Sequence, residues 1–151
     1  RNVHLLCYGT LAGGFLAGSR IGRPERPEDP GNRSLVKYRL IIDELGGWEA
    51  FQELLAVLDR VARRRDATVS DVACRWVLDR PGGAAVVVGI SETDRLQDYL
   101  RLLELSLEDE DRSDIDAFLR RHPGVGGDVY SVERIEGGRH ASIMKTGLNR
   151  P

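Results

Sequence analysis

The chain has 151 residues, of which 41% are hydrophobic and 30% are charged, and its formal net charge is −2. This composition is typical of a globular protein with one sizeable core, and it gives no electrostatic reason to bind nucleic acid or an anionic membrane. No apolar run is long enough to span a bilayer. Cys7 and Cys74 both lie in apolar surroundings, which favours buried free thiols over a disulfide and a cytoplasmic location.

The first predicted element is a buried strand over residues 3–8, which read VHLLCY. Four glycines between residues 9 and 18 then interrupt apolar sequence. Glycines here permit either a tight turn or the close approach of a ligand to the backbone. Residues 20–34 are rich in proline, glycine and charge. They predict a long exposed segment that is either a connector or a binding lid.

Three helices are predicted next, over residues 34–45, over residues 48–65, and from Thr68 or Ser70 to residue 78. The middle helix is the clearest, because its apolar residues form one stripe at helical spacing. The stripe consists of Trp48, Phe51, Leu54, Leu55, Leu58, Val61 and Ala62. Such a stripe indicates core packing rather than a cofactor site.

Residues 84–88 read AAVVV, a run that is typical of a strand buried on both faces in a parallel sheet. Gly89 ends this strand, and Ser91 is predicted to cap the next helix with Asp94 as its capping-box partner. The turn would expose backbone N–H groups and a helix N-terminus at the carboxyl end of a strand, where α/β folds bind phosphate. An ordinary βα unit that binds nothing fits the pattern equally well.

Arg95 falls in the first turn of that helix, where a cation opposes the helix dipole. It is therefore a candidate for binding a phosphate or a carboxylate. A salt bridge to Glu92 or Asp98 explains its presence equally well.

The last predicted helix begins at a Ser106 cap and runs through Leu119. Residues 122–151 are rich in glycine and show no clean periodicity, which predicts an irregular tail. No His, Cys and carboxylate cluster has metal-ligand spacing, and no Ser/His/Asp or Cys/His arrangement predicts a nucleophile. The sequence therefore predicts neither a metal site nor a catalytic residue.

The order of these elements predicts an α/β fold with a parallel pair of strands. Two strands are too few for a sheet of ordinary size, and the chain has no initiator Met. We therefore expect a fragment of a longer chain, whose other strands are missing or are supplied by another chain.

Five motifs in order resemble the C-terminal part of an aldo-keto reductase. They are YGTLAGGFL from Tyr8, SLVKY from Ser34, GGWEAFQ from Gly46, VACRWVLD from Val72 and VVVG from Val86. The resemblance covers residues 1–120, and residues 121–151 are similar to the C-terminal extension of some bacterial and fungal members. It implies an incomplete TIM (β/α)8 barrel, with the seventh and eighth strands in this chain and NADPH or NADH at their carboxyl ends.

The resemblance also implies roles for the residues that follow the first strand. Tyr8 would stack on the nicotinamide ring. Gly9, Thr10 and Leu11 would line the pyrophosphate, and many relatives carry Ser in place of Gly9.

The residues after the second strand match the part of the family site that holds the adenosine. Gly89, Ser91 and Arg95 would hold the ribose or its 2′-phosphate. Asp98 matches an acidic residue near the adenine, and Tyr99 stands where an Asn is common.

The family's catalytic Asp, Tyr, Lys and His belong to the first half of the barrel and match nothing in this chain. We therefore expect the cofactor-binding portion of an NAD(P)H-dependent oxidoreductase that reduces small aldehydes or ketones to alcohols. Its partner would be the N-terminal half of the barrel, and the isolated chain would be inactive. The alternative is a non-catalytic binding or regulatory subunit with the same barrel.

Overall fold

A computed structural model describes residues 3–25, 32–89, 95–126 and 129–143, and it confirms a mixed order of strands and helices. The strands are β1 (Leu5–Tyr8) and β2 (Gly83–Val87). The helices are α1 (Arg33–Leu45), α2 (Gly47–Arg64), α3 (Val69–Leu78), α4 (Arg95–Glu104), α5 (Asp109–Arg121), α6 (Val129–Val132) and α7 (Arg139–Ser142). Two short 3₁₀ turns, Ala12–Gly14 and Gly18–Arg20, lie between β1 and α1.

The two strands pair in parallel, as the element order predicts, with Leu6 opposite Ala85 and Tyr8 opposite Val87. The prediction that both strands are buried is wrong. The side chains of Leu6 and Tyr8 are each 70% exposed, and that of Val87 is 57% exposed. Within the described ranges the sheet has two strands, so their apolar side chains lack the neighbours that would bury them.

The hydrophobic core lies among the helices rather than on the sheet. The central helix α2 packs against α1, α3 and α5. Its Leu55 and Val61 are fully buried beside Val72 of α3 and Phe118 of α5. The stripe predicted for this helix is therefore confirmed as core packing.

An aromatic cluster fixes the segment after β1 to this core. Phe15 packs edge-on against both Trp48 and Phe51 of α2, with ring centroids 6.2 Å apart in each pair. The next stretch is held by Gln52, which accepts from the Gly22 N–H at 2.8 Å. The described part of the predicted connector, up to residue 25, is thus anchored, and residues 26–31 lie outside the described residues.

The helix caps confirm the predicted start of α3 and correct the predicted start of α5. Thr68 is the N-cap of α3 and forms a capping box with Asp71, which satisfies N–H groups of the first turn. The prediction that Ser106 caps α5 is wrong, because Glu108 is the N-cap and pairs reciprocally with Asp111. The helix therefore begins two residues later than predicted, and the intervening Leu107 is buried in the core.

A buried carboxylate joins the end of α2 to the start of α5. Asp111 is fully buried and accepts from Arg64 at 3.1 Å and from Arg65 at 2.5 Å. Burial alone would raise the pKa of Asp111, but the Glu108 N–H and both guanidinium groups outweigh it and hold the pKa below its ordinary value. The ionised pair network therefore stabilises this helix junction.

The described part of the segment after residue 121 contains helical turns, whereas the sequence predicts an irregular tail. It forms the short helices α6 and α7, and its side chains contact α1. Glu133 pairs with Lys37, and Arg139 donates to Asp43 at 3.0 Å. These ion pairs join the segment after residue 121 to α1 at two positions along that helix.

Both cysteines are free thiols, as predicted, although only Cys74 is buried and Cys7 is half-buried. None of the helices within the described ranges is long and apolar enough to cross a membrane.

Candidate functional site

A pocket of about 580 Å³ lies where the two parallel strands end. Because the strands are parallel, their carboxyl ends meet at one edge of the sheet. Gly9, Thr10 and Leu11 line the pocket from β1, and Gly89 lines it from β2. The structure therefore brings four of the eight predicted site residues together.

The turn after β1 requires glycine because Tyr38 of α1 lies against it. Gly9 has a φ of +73°, a conformation that L side chains rarely adopt. A Cβ at this position would stand 2.3 Å from the Tyr38 hydroxyl oxygen. A Cβ on Gly13 would likewise stand 2.9 Å from the Tyr38 ring. The glycines thus let an aromatic ring close one side of the pocket.

Thr10 is tied to the helical core through Cys74 of α3. The Thr10 hydroxyl lies 3.7 Å from the Cys74 sulfur, within hydrogen-bond distance for sulfur. Burial raises the pKa of the Cys74 thiol, and this outweighs the opposing effect of the Thr10 hydrogen bond. Cys74 therefore stays protonated at neutral pH and acts as a structural thiol that orients Thr10.

Tyr99 of α4 closes the other side of the pocket. Its hydroxyl donates to the Gly89 carbonyl at 3.1 Å. This hydrogen bond fixes α4 to the turn after β2, so that the helix and the strand end share one wall.

Tyr8 and Lys37 lie beside the pocket rather than in its wall. The Tyr8 ring is exposed at the end of β1. Burial alone would lower the pKa of Lys37, but the Glu133 carboxylate outweighs it, with smaller contributions from Tyr8 and Tyr38, and the pKa is raised. Lys37 is thus a positive charge near the tyrosines at neutral pH.

The remaining predicted site residues follow the turn after β2. Ser91 lies outside the described residues, as does its predicted partner Asp94. Arg95 and Asp98 belong to the first turns of α4, but their side chains lie outside the described part of the chain. Their roles stay predictions.

The lining residues that were not predicted as parts of a site include three that carry hydroxyls: Ser34, Tyr38 and Tyr99. Ser34 and Tyr38 are four residues apart on α1 and therefore face the same side of that helix. This spacing is a usable signal, but only once the helix is known to pack beside the strand ends.

The described wall of the pocket is polar through backbone and hydroxyl groups and carries no charged side chain. Thr10, Ser34, Tyr38 and Tyr99 supply the hydroxyls. Backbone and hydroxyl groups at strand ends suit the sugar and phosphate parts of a nucleotide. In the described ranges, no group of three or more His, Cys, Asp or Glu residues could hold a metal ion.

Comparison with known protein families yields a match over most of the chain. The model of a family described as "Aldo/keto reductase family" matches residues 1–120. The matched region contains both strands, helices α1 to α4, most of α5 and the whole pocket at the strand ends.

Proposed function

Because the chain belongs to the aldo/keto reductase family, we propose that it forms the cofactor-binding portion of an NAD(P)H-dependent oxidoreductase that reduces aldehydes or ketones to alcohols. The observation that carries this proposal is the meeting of Gly9, Thr10, Leu11 and Gly89 in one pocket at the carboxyl ends of two parallel strands. Barrel enzymes place their sites at this edge.

The lining of the pocket has chemistry that suits a dinucleotide. Gly14 and Gly89 line the pocket with open space where a Cβ would stand, which permits the close approach of a pyrophosphate to the backbone. The Thr10 hydroxyl is held in place by its contact with the Cys74 sulfur. When bound, a nicotinamide cofactor supplies the hydride for carbonyl reduction.

The residues of this chain bind and orient the cofactor in our proposal. Gly9, Thr10 and Leu11 hold the pyrophosphate, and the exposed Tyr8 ring offers an apolar face for the nicotinamide. Gly89 follows β2, and the chain continues from it through Ser91 to the start of α4.

For the far end of the cofactor, we propose that Ser91 and Arg95 hold the adenosine ribose or its 2′-phosphate, and that Asp98 lies near the adenine. A guanidinium suits a phosphate dianion because of its charge and its several donors. Arg95 would then favour NADPH over NADH.

We further propose that β1 and β2 are two strands of a (β/α)8 barrel whose other strands come from outside residues 1–151. The exposed side chains of Leu5, Leu6 and Val87 support this, because neighbouring strands would cover them. Carbonyl reduction would need those other strands, because the family resemblance places the catalytic acid and base groups on them. The free thiols support a cytoplasmic location.

A titration of the purified chain with NADPH tests this proposal. We expect saturable binding that Thr10→Val weakens at least tenfold, because the variant removes the hydroxyl and keeps the shape. Ser113→Ala, which removes a hydroxyl from the exposed side of α5 outside the pocket, is the matched control. We expect no measurable carbonyl reduction by the chain alone.

The proposal fails if NADPH does not bind the folded chain, or if Thr10→Val and Ser113→Ala have the same affinity. Rapid turnover of an aldehyde by the purified chain would contradict the assignment of the acid and base groups to other strands.

A further inference from the structure

The two halves of α1 differ in what holds them in place. Leu40 and Ile42 in the second half are buried, and Ile42 belongs to the hydrophobic core. The first half, residues 33–38, contains no buried residue. This first half nevertheless carries Ser34 and Tyr38, which line the pocket at the strand ends. One wall of the pocket therefore depends on contacts other than burial in the core.

Contacts with two other elements hold this first half. Tyr38 stands against Gly13 in the turn after β1. Residues 129–143 form the α6–α7 segment, and the carboxylate of Glu133 in this segment pairs with Lys37. Because Lys37 precedes Tyr38 in the chain, this ion pair acts on α1 at the point where the tyrosine ring meets the turn.

The α6–α7 segment has its own attachment to the second half of α1. His140 is buried, and its Nε2 lies 2.8 Å from Oε1 of Glu44. Arg139 donates to Asp43 at 3.0 Å. The segment is thus fixed to the half of α1 that the core holds, and from there it presents Glu133 to the other half.

The pair of Lys37 and Glu133 is largely withdrawn from water. The exposed fraction of the side chain is 21% for Lys37 and 8% for Glu133. Breaking such a pair is costlier than breaking an exposed one, because the remaining charge is left without its partner where water reaches it poorly. Burial opposes the charge of Lys37, but the Glu133 carboxylate outweighs it and raises the pKa, so that Lys37 is charged at neutral pH.

We propose that Glu133 is a positioning residue for the cofactor pocket. It holds Lys37, and through Lys37 the first half of α1, so that Tyr38 keeps its place against the turn after β1. Glu133 is outside the described wall of the pocket, so it affects cofactor affinity through the position of the wall and not by contact. Binding sites depend on such supporting groups to fix the residues that line them. The inference rests on the proposed function, because it concerns NADPH at the same site.

The test compares two nearby glutamates. Glu133→Gln keeps the shape of the side chain and removes its charge, and Glu136→Gln makes the same change at an exposed position three residues later. In a titration of the purified chain, we expect Glu133→Gln to weaken NADPH binding about fivefold. The control should leave the affinity unchanged. Without NADPH, Glu133→Gln should also shift the amide resonances of Gly9 and Gly13 in ¹H–¹⁵N NMR, and the control should not.

Two further variants separate positioning from a general loss of structure. If Glu133 acts through Tyr38, Glu133→Gln should leave the NADPH affinity nearly unchanged in the Tyr38→Ala background. Partial unfolding would instead weaken binding by the same factor in both backgrounds. Should Glu133→Gln not fold, Arg33→Gln loosens the same contact more mildly, because Arg33 donates to the Ile143 carbonyl at 3.3 Å. It should weaken NADPH binding about twofold.

The inference is overturned if NADPH binds the unchanged chain and Glu133→Gln binds it as tightly as Glu136→Gln. Equal weakening with and without Tyr38 also overturns it, as do unmoved Gly9 and Gly13 resonances. If Glu133→Gln does not fold, an unchanged affinity in Arg33→Gln overturns it. If NADPH does not bind the unchanged chain, the proposed function fails and this inference fails with it, so the unchanged chain tells the two failures apart.

Discussion

The helical part and the strand part of this molecule contain equally apolar side chains in opposite environments. Leu55 of α2 is fully buried, whereas Leu6 of β1 is 70% exposed. The helices find partners for their apolar faces within the described residues, and the strands do not. An apolar pattern therefore shows which face needs cover, while only the structure shows whether the chain supplies that cover.

The same leucine substitution should change the free energy of unfolding very differently in the two parts. Leu55→Ala should reduce the free energy of unfolding by about 2–5 kcal/mol, because it leaves a cavity in a packed core. Leu6→Ala should change it by less than about 0.5 kcal/mol, because little packing is lost at an exposed site. Urea unfolding of both variants measures the difference. Equal losses of unfolding free energy in the two variants would mean that the sheet is covered in solution.

The second effect tests the charge network that holds the helical part together. Asp111→Asn should destabilise the chain by about 2–3 kcal/mol, because a buried carboxylate that accepts from two guanidinium groups loses its charge, while Arg64 keeps Asp114 and Arg65 keeps Glu108 as partners. Asp109→Asn, at a fully exposed position two residues earlier, is the control and should be near neutral.

The same network predicts a dependence on pH with a defined sign. The pKa of Asp111 is below its ordinary value of 3.8 in the folded chain. Its ionised form therefore contributes stability above that value, and this contribution is lost as the pH falls through the lowered pKa. Unfolding curves of the unchanged chain and of Asp111→Asn should converge in this acidic range. A constant difference down to the most acidic point would contradict the assignment.

The third effect lies at the boundary between the two parts, where Tyr38 meets the turn after β1. Gly14→Ala should cost about 1 kcal/mol, since it strains a positive φ in open space. Gly9→Ala should cost about 2 kcal/mol, because the new Cβ also meets the Tyr38 hydroxyl. Adding Tyr38→Phe should restore part of the loss in Gly9→Ala and none in Gly14→Ala. Thermal unfolding of the four variants measures this, and equal costs at both glycines would exclude the contact.

The elements themselves follow from local chemistry that the sequence displays. Apolar stripes predict α2, and the Thr68 cap predicts the start of α3. Ser106 misleads because a hydroxyl before an acidic run looks like a cap. Burial of Leu107 in the core instead places Glu108 at the helix start, and this depends on tertiary packing.

The candidate site likewise has a part that the order of the elements predicts and a part that depends on how the helices pack. Parallel strands place Gly9 and Gly89 at one edge, so their meeting is predictable from the order of the elements. The contact of Tyr38 with Gly9 and the hydrogen bond from Tyr99 to Gly89 depend on how α1 and α4 dock. The exposure of β1 and β2 is unpredictable from their own residues, because burial is a property of neighbours.

The parallel pairing of Leu5 with Gly83 also has a consequence for the order of folding. Bringing these distant residues together from an unfolded chain costs loop-closure entropy, whereas helix formation and helix–helix contacts are more local. Once α1, α2 and α3 have packed, most of that entropy has already been lost and the strand ends lie within reach of each other. We therefore expect the helical core to form first and the strand pair to form last. The pocket at the strand ends would then be the final part of the molecule to fold.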